Sequence, residues 1–101
     1  MIKKPIVLKP GALIDTQEVY DWYEEKLIGL GERFLAELEA CYIRIENHPT
    51  SFGKFYKNYR KAQLKKFPYL VIYTITKTEI LVFSVFHGYR NPGQRLKGNN
   101  K

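Results

Sequence analysis

Cysteine occurs once in these 101 residues, as do methionine and tryptophan. The lone Cys41 excludes an internal disulfide, and its apolar neighbours at helical spacing make it a buried thiol rather than a nucleophile. No apolar run approaches the roughly 20 residues that a membrane-spanning helix needs. Lys3 and Lys4 are not followed by the apolar core of a signal peptide, so a soluble, cytoplasmic chain with no membrane contact is expected. His, Cys and carboxylates do not recur at ligand spacing, so no metal is expected. Gly29-Leu30-Gly31 falls between two helical patterns, where glycine supplies a turn rather than a phosphate cradle, and no cofactor is expected. The most telling scarcity is of acid. From Ser51 to Lys101 there is one carboxylate, Glu79, against eleven Lys or Arg residues.

The first half reverses that balance, with six bases and nine acids from Met1 to Thr50. A net charge of +7 is therefore an acidic half joined to a strongly basic one. A fold that keeps the halves apart presents one positive surface, suited to a polyanion or an acidic protein partner. The length fits one domain, assigned to residues 1–93, and 45% hydrophobic residues suffice for one small core. The polar, glycine-containing residues 94–101 are expected to form a mobile tail.

Along the chain, Ile6 to Lys9 reads as a short strand closed by Pro10-Gly11. Asp15 with Glu18 predicts a helix N-terminus with a capping box. Val19, Trp22, Tyr23, Leu27 and Leu30 then recur at helical spacing. A second helix carries Phe34, Leu35, Leu38, Cys41, Tyr42 and Ile45 on one stripe and ends at Asn47-His48-Pro49. His48 belongs to that helix end and not to a catalytic centre. Phe55 to Lys66 reads as one basic, solvent-facing strand. Tyr69 to Ile75 is apolar enough to be buried on both faces. Thr76 to Glu79 is a hairpin turn, and Ile80 to Phe86 the next strand. The expected fold is α+β: an N-terminal strand, an α-helical hairpin, then a three-stranded antiparallel meander forming one small sheet, with both helices on one face.

Several of these segments resemble the RelE/ParE superfamily of bacterial type II toxin–antitoxin systems, including its plasmid-stabilisation type. Trp22-Tyr23-Glu24-Glu25, Gly29-Leu30-Gly31-Glu32-Arg33-Phe34-Leu35, Ile45 and Pro49 look like its helical hairpin. Tyr59-Arg60-Lys61, Lys66-Phe67-Pro68-Tyr69 and Val71-Ile72-Tyr73 look like its sheet, and His87-Gly88-Tyr89-Arg90-Asn91-Pro92 like its closing strand exit. The resemblance runs from about Ile6 to Pro92. It implies a toxin held inactive by an antitoxin whose C-terminal segment wraps it. Some superfamily members are ribosome-dependent mRNA interferases and others inhibit DNA gyrase without nuclease chemistry, so the shared fold leaves the target open. A degenerate member would only bind its antitoxin.

Metal-independent RNA cleavage needs a base for the 2′-hydroxyl, an acid for the leaving oxygen, and cations around the phosphate. His87 is the one candidate proton carrier titrating near neutral pH. Arg60 and Arg90 are planar donors suited to a phosphate. Those three are the catalytic candidates. Lys57, Arg60, Lys61, Lys65, Tyr89 and Arg90 are the candidates for holding target or antitoxin. Tyr56, Tyr59, Tyr69 and Tyr73 are possible stacking groups, with Tyr69 and Tyr73 sharing one strand face and better suited to core packing. The basic half lacks a carboxylate near His87, because Glu79 lies in a turn. That gap, and the His-Gly-Tyr-Arg ending, favour the gyrase-binding ParE-like reading over the nuclease.

Overall fold

The computed structural model describes residues 3–88. Its elements run β1 (Ile6–Leu8), α1 (Pro10–Lys26), α2 (Leu30–Asn47), β2 (Lys54–Tyr56), β3 (Tyr59–Gln63), β4 (Tyr69–Ile75) and β5 (Ile80–His87). They form one five-stranded sheet in the order β1-β5-β4-β3-β2. The α+β class and the helical hairpin agree with expectation, but the sheet is larger than a three-stranded meander. Two local facts enlarge it. The basic run from Phe55 is two strands, because Lys57 and Asn58 turn the chain and set Tyr56 opposite Tyr59. The first strand joins the same sheet, pairing parallel with β5 through Ile6↔Ile80 and Leu8↔Val82.

The first helix also begins earlier than Asp15. Pro10 stands in its first turn, where the missing N–H costs nothing and the ring pre-sets φ. Asp15 is therefore an interior helical residue, and it is buried. Its face of α1 is Ala12, Asp15, Val19 and Tyr23, turned toward β5 and the core. Trp22 and Leu27, predicted on the buried stripe, are 51% and 61% exposed.

The turn into α2 is built by its glycines. Gly29 has φ 91°, a left-handed conformation that side chains resist. Gly31 lies so close to α1 that an added Cβ would stand 2.8 Å from Tyr20 and Glu24 side-chain atoms. The Glu24 carboxylate accepts N–H bonds from Gly29 at 3.0 Å and Gly31 at 2.8 Å. It thus caps the start of α2 from the preceding helix. The stripe of α2 is as predicted, with Phe34, Leu38, Cys41 and Ile45 buried and Leu35 and Tyr42 packed beside them.

Both helices cover one face of the sheet. Their core includes Ala62, Leu64, Val71, Tyr73, Ile80, Val82 and Val85. The second, smaller cluster is Leu70, Ile72 and Phe86, with Phe55 and Tyr59 packed against it. Alternate residues of β4 serve these two clusters, which accounts for its near-continuous apolarity. The register shifts between Ile72 and Tyr73, whose partners are Ser84 and Val82, leaving Phe83 as the extra residue of a bulge. The turn after β4 is closed by Thr76: its N–H and hydroxyl donate to Glu79 O, and the hydroxyl accepts from the N–H of Thr78 and Glu79.

Candidate functional site

The charge split in the sequence becomes a split in space. Among the described residues, the exposed acids Glu18, Asp21, Glu25, Glu32 and Glu39 lie on the helices beside the exposed Lys26 and Arg33, while Lys54, Lys57, Lys61, Lys65 and Lys66 are exposed on β2, β3 and the adjoining turns with no exposed acid among them. Two places follow from this layout: a cleft at the end of β5, and the basic β2–β3 hairpin.

His87 ends β5 opposite Tyr69. The two rings meet edge to face at 5.4 Å. This half-buried histidine lines a cleft of about 510 Å³ with Asp15, Glu18, Val19, Trp22, Tyr23, Pro68, Tyr69, Val85 and Phe86. Asp15 is fixed at its floor. Its Oδ2 accepts from the Ser84 hydroxyl at 2.9 Å and from the Val85 N–H at 3.0 Å. These bonds tie α1 to β5 across the bulge. Sequence reasoning missed Asp15 in this role, although an acid on the Ala12–Val19 stripe of an amphipathic helix is the signal for it.

Arg60 lies elsewhere. Its Cα partner is Tyr73, whereas that of His87 is Tyr69, four residues away along β4 and on its other side. Strand geometry separates the two backbones by roughly 16 Å. The guanidinium turns to the loop after α2, where Nη1 donates to Phe52 O at 2.7 Å and Thr50 O at 3.3 Å. Nearby, the Tyr73 hydroxyl donates to Pro49 O at 2.6 Å. Burial pushes that phenol up to about 12, with Arg60 opposing the shift. Arg60 thus fastens a loop to the sheet.

Lys57 sits at the tip of the β2–β3 hairpin with φ 49° and places its ammonium 5.4 Å from the Tyr56 ring centre. Lys61 lies over Phe55 at 5.9 Å. Lys65 follows β3 and is exposed. The structure therefore groups Lys57 and Lys61 on one hairpin and separates them from His87. Tyr89 and Arg90, the remaining candidates, lie outside the described residues, as does the tail 94–101.

Other predicted roles are placed directly. The His48 N–H bonds Arg44 O at the end of α2. Cys41 is wholly buried, and desolvation raises its thiol to about 11, with Arg44 opposing. Among the described residues, no three His, Cys, Asp or Glu side chains gather as a metal site, and no helix is long and apolar enough to cross a membrane.

The profile of the family described as ParE toxin of type II toxin-antitoxin system, parDE, matches residues 6–92. This chain belongs to the ParE toxin family. Toxin ParE2 of Mycobacterium tuberculosis, in strains CDC 1551 and H37Rv, is 36% identical over 55 residues. That match covers 54% of this chain and 52% of the relative, so the chain spans about half the length of these curated relatives. A chain from the chromosomal ParDE TA system of P. aeruginosa shares the fold, with TM-score 0.65 and 13% identity, over 84% of this chain and 96% of that one. The helical hairpin on a sheet is thus a ParE architecture.

Proposed function

We propose that this ParE-family chain is the toxin of a type II toxin–antitoxin pair that arrests growth in the bacterial cytoplasm by binding DNA gyrase. Its neutralising partner is a cognate antitoxin. The observation that carries this reading over an mRNA interferase is the separation of His87 from the cations of β3. A general base must come within about 2.6–3.2 Å of the proton it takes. The phosphate-holding cations must surround the same reacting group. Here Arg60 is tied to Thr50 and Phe52, while His87 sits at the end of β5. The carboxylate that the basic half lacks comes from the first helix, since Asp15 and Glu18 share the His87 cleft, so the groups able to carry a proton and the cations of β3 occupy different parts of the fold.

The antitoxin contributes an acidic or apolar segment across the basic sheet side. Opposite charges there speed encounter and set register, so association slows as salt rises. Inducible expression of the wild type, His87→Ala and Arg60→Lys tests the reading. Growth arrest with a DNA-damage response and intact mRNA, persisting in His87→Ala, is the expected result. Cleaved mRNA that disappears with His87→Ala would establish the nuclease instead. No arrest in a sensitive host would leave a chain that only binds its antitoxin.

A further inference from the structure

The β2–β3 hairpin carries more than packing requires. Tyr56 and Tyr59 are directly opposed across it. Their rings stack with centroids 6.1 Å apart and planes within 13°. Tyr59 continues edge-to-face onto Phe83 at 5.4 Å, and with Phe55 it covers the Leu70–Ile72–Phe86 cluster. Tyr59 is thus a core-edge residue. Tyr56 lies outside that cluster, half-buried beside the tip.

Cations frame this aromatic pair. Lys57 lies over Tyr56 and Lys61 over Phe55, while Lys54, Lys65 and Lys66 are exposed nearby in the sequence. At exposed sites such contacts are weak, so a ligand readily displaces a lysine from a ring. The tip is also strained. Lys57 holds a left-handed φ of 49°, where glycine or asparagine would serve with less cost. Thr74 Oγ1 holds this conformation from β4 through Asn58 O at 3.2 Å. Strain of this kind points to a role for the side chain it presents.

We propose that the outer side of the β2–β3 hairpin binds single-stranded nucleic acid without sequence readout. Tyr56, backed by Tyr59, offers a ring face to an unstacked base, while Lys57 and Lys61 take adjoining phosphates. Duplex nucleic acid keeps its bases stacked and engages only the lysines. An acidic peptide likewise has no use for the tyrosine pair. The proposal is independent of gyrase binding, because its test contains no gyrase and no antitoxin.

The test is fluorescence anisotropy of the full chain with labelled 15-nucleotide oligo-dT and oligo-rU, a duplex of equal length, and polyglutamate, across a salt series. Tyr56→Ala, Tyr56→Phe and the double variant Lys57→Asn/Lys61→Gln are compared after circular dichroism verifies folding. Both single strands are expected to bind more tightly than the duplex. Tyr56→Ala should weaken them roughly tenfold, with Tyr56→Phe restoring most of the loss. Removing both lysines should shallow the log–log salt slope by about 1.4. Three results would overturn the proposal: no single-strand binding at low salt, polyglutamate bound equally well, or wild-type affinity in both Tyr56→Ala and the lysine variant. The last would assign binding to other cations of the chain.

Discussion

Asp15 shows how much one side chain holds together. Its carboxylate takes the Ser84 hydroxyl and the Val85 N–H in a buried position, joining the first helix to the last strand. Asp15→Ala leaves those donors without this acceptor, at about 1–3 kcal/mol for each group unsatisfied. Asp15→Asn keeps an acceptor and should cost less. Urea unfolding is expected to rank wild type above Asn above Ala. Cys41 gives a second prediction. Its ordinary value of 9.0 is raised to about 11 by burial, so the folded state keeps a proton that the unfolded state gives up first. The sign follows: this contribution is fully present below pH 9 and is lost as pH rises toward 11. Stability should fall across that interval, less steeply in Cys41→Ala. At pH 8, thiol reagents should label Cys41 only as fast as the chain opens.

At the scale of elements, the legibility of the sequence was uneven for physical reasons. The second helix was readable because Phe34, Leu38, Cys41 and Ile45 form a single stripe against one layer. Strands β4 and β5 were readable because two-sided burial leaves an almost unbroken apolar run. The start of α1 was hidden by Pro10-Gly11, which reads as a chain break although proline is at home in a first helical turn. Asp15 looked like a cap because capping acids and buried acids share one letter. The β2–β3 turn was hidden because Lys57 is not a usual left-handed residue. Of the candidate site, His87 at a strand end and the basic character of the run from Phe55 were legible; the hairpin in that run and the distance between His87 and Arg60 were not, since both depend on the turn at Lys57 and on cross-strand register. The α1–α2 connection yields a prediction at this scale. Glu24→Ala removes the carboxylate that caps Gly29 and Gly31, at about 0.5–2 kcal/mol, as for other lost caps. A lowered urea midpoint with unchanged m value is expected, because the surface exposed on unfolding stays the same.

At the scale of the whole molecule, the exposed acids among the described residues all lie on the helices, and a lysine-rich hairpin forms one edge of the sheet. Membership of the ParE toxin family accounts for the architecture, and the sorting suits the partner binding proposed above. Charge sorted in this way acts over several ångströms and favours encounter, whereas acid–base catalysis needs groups at hydrogen-bond distance. Arg60 and His87, on opposite sides of β4 and four residues apart along it, do not meet the second requirement with one another. The most direct test of this account is gyrase supercoiling with purified chain, run beside translation of an mRNA on purified ribosomes. Supercoiling inhibited equally by wild type and His87→Ala, with the mRNA intact, is the predicted result. Unaffected gyrase together with His87-dependent mRNA cleavage would contradict it.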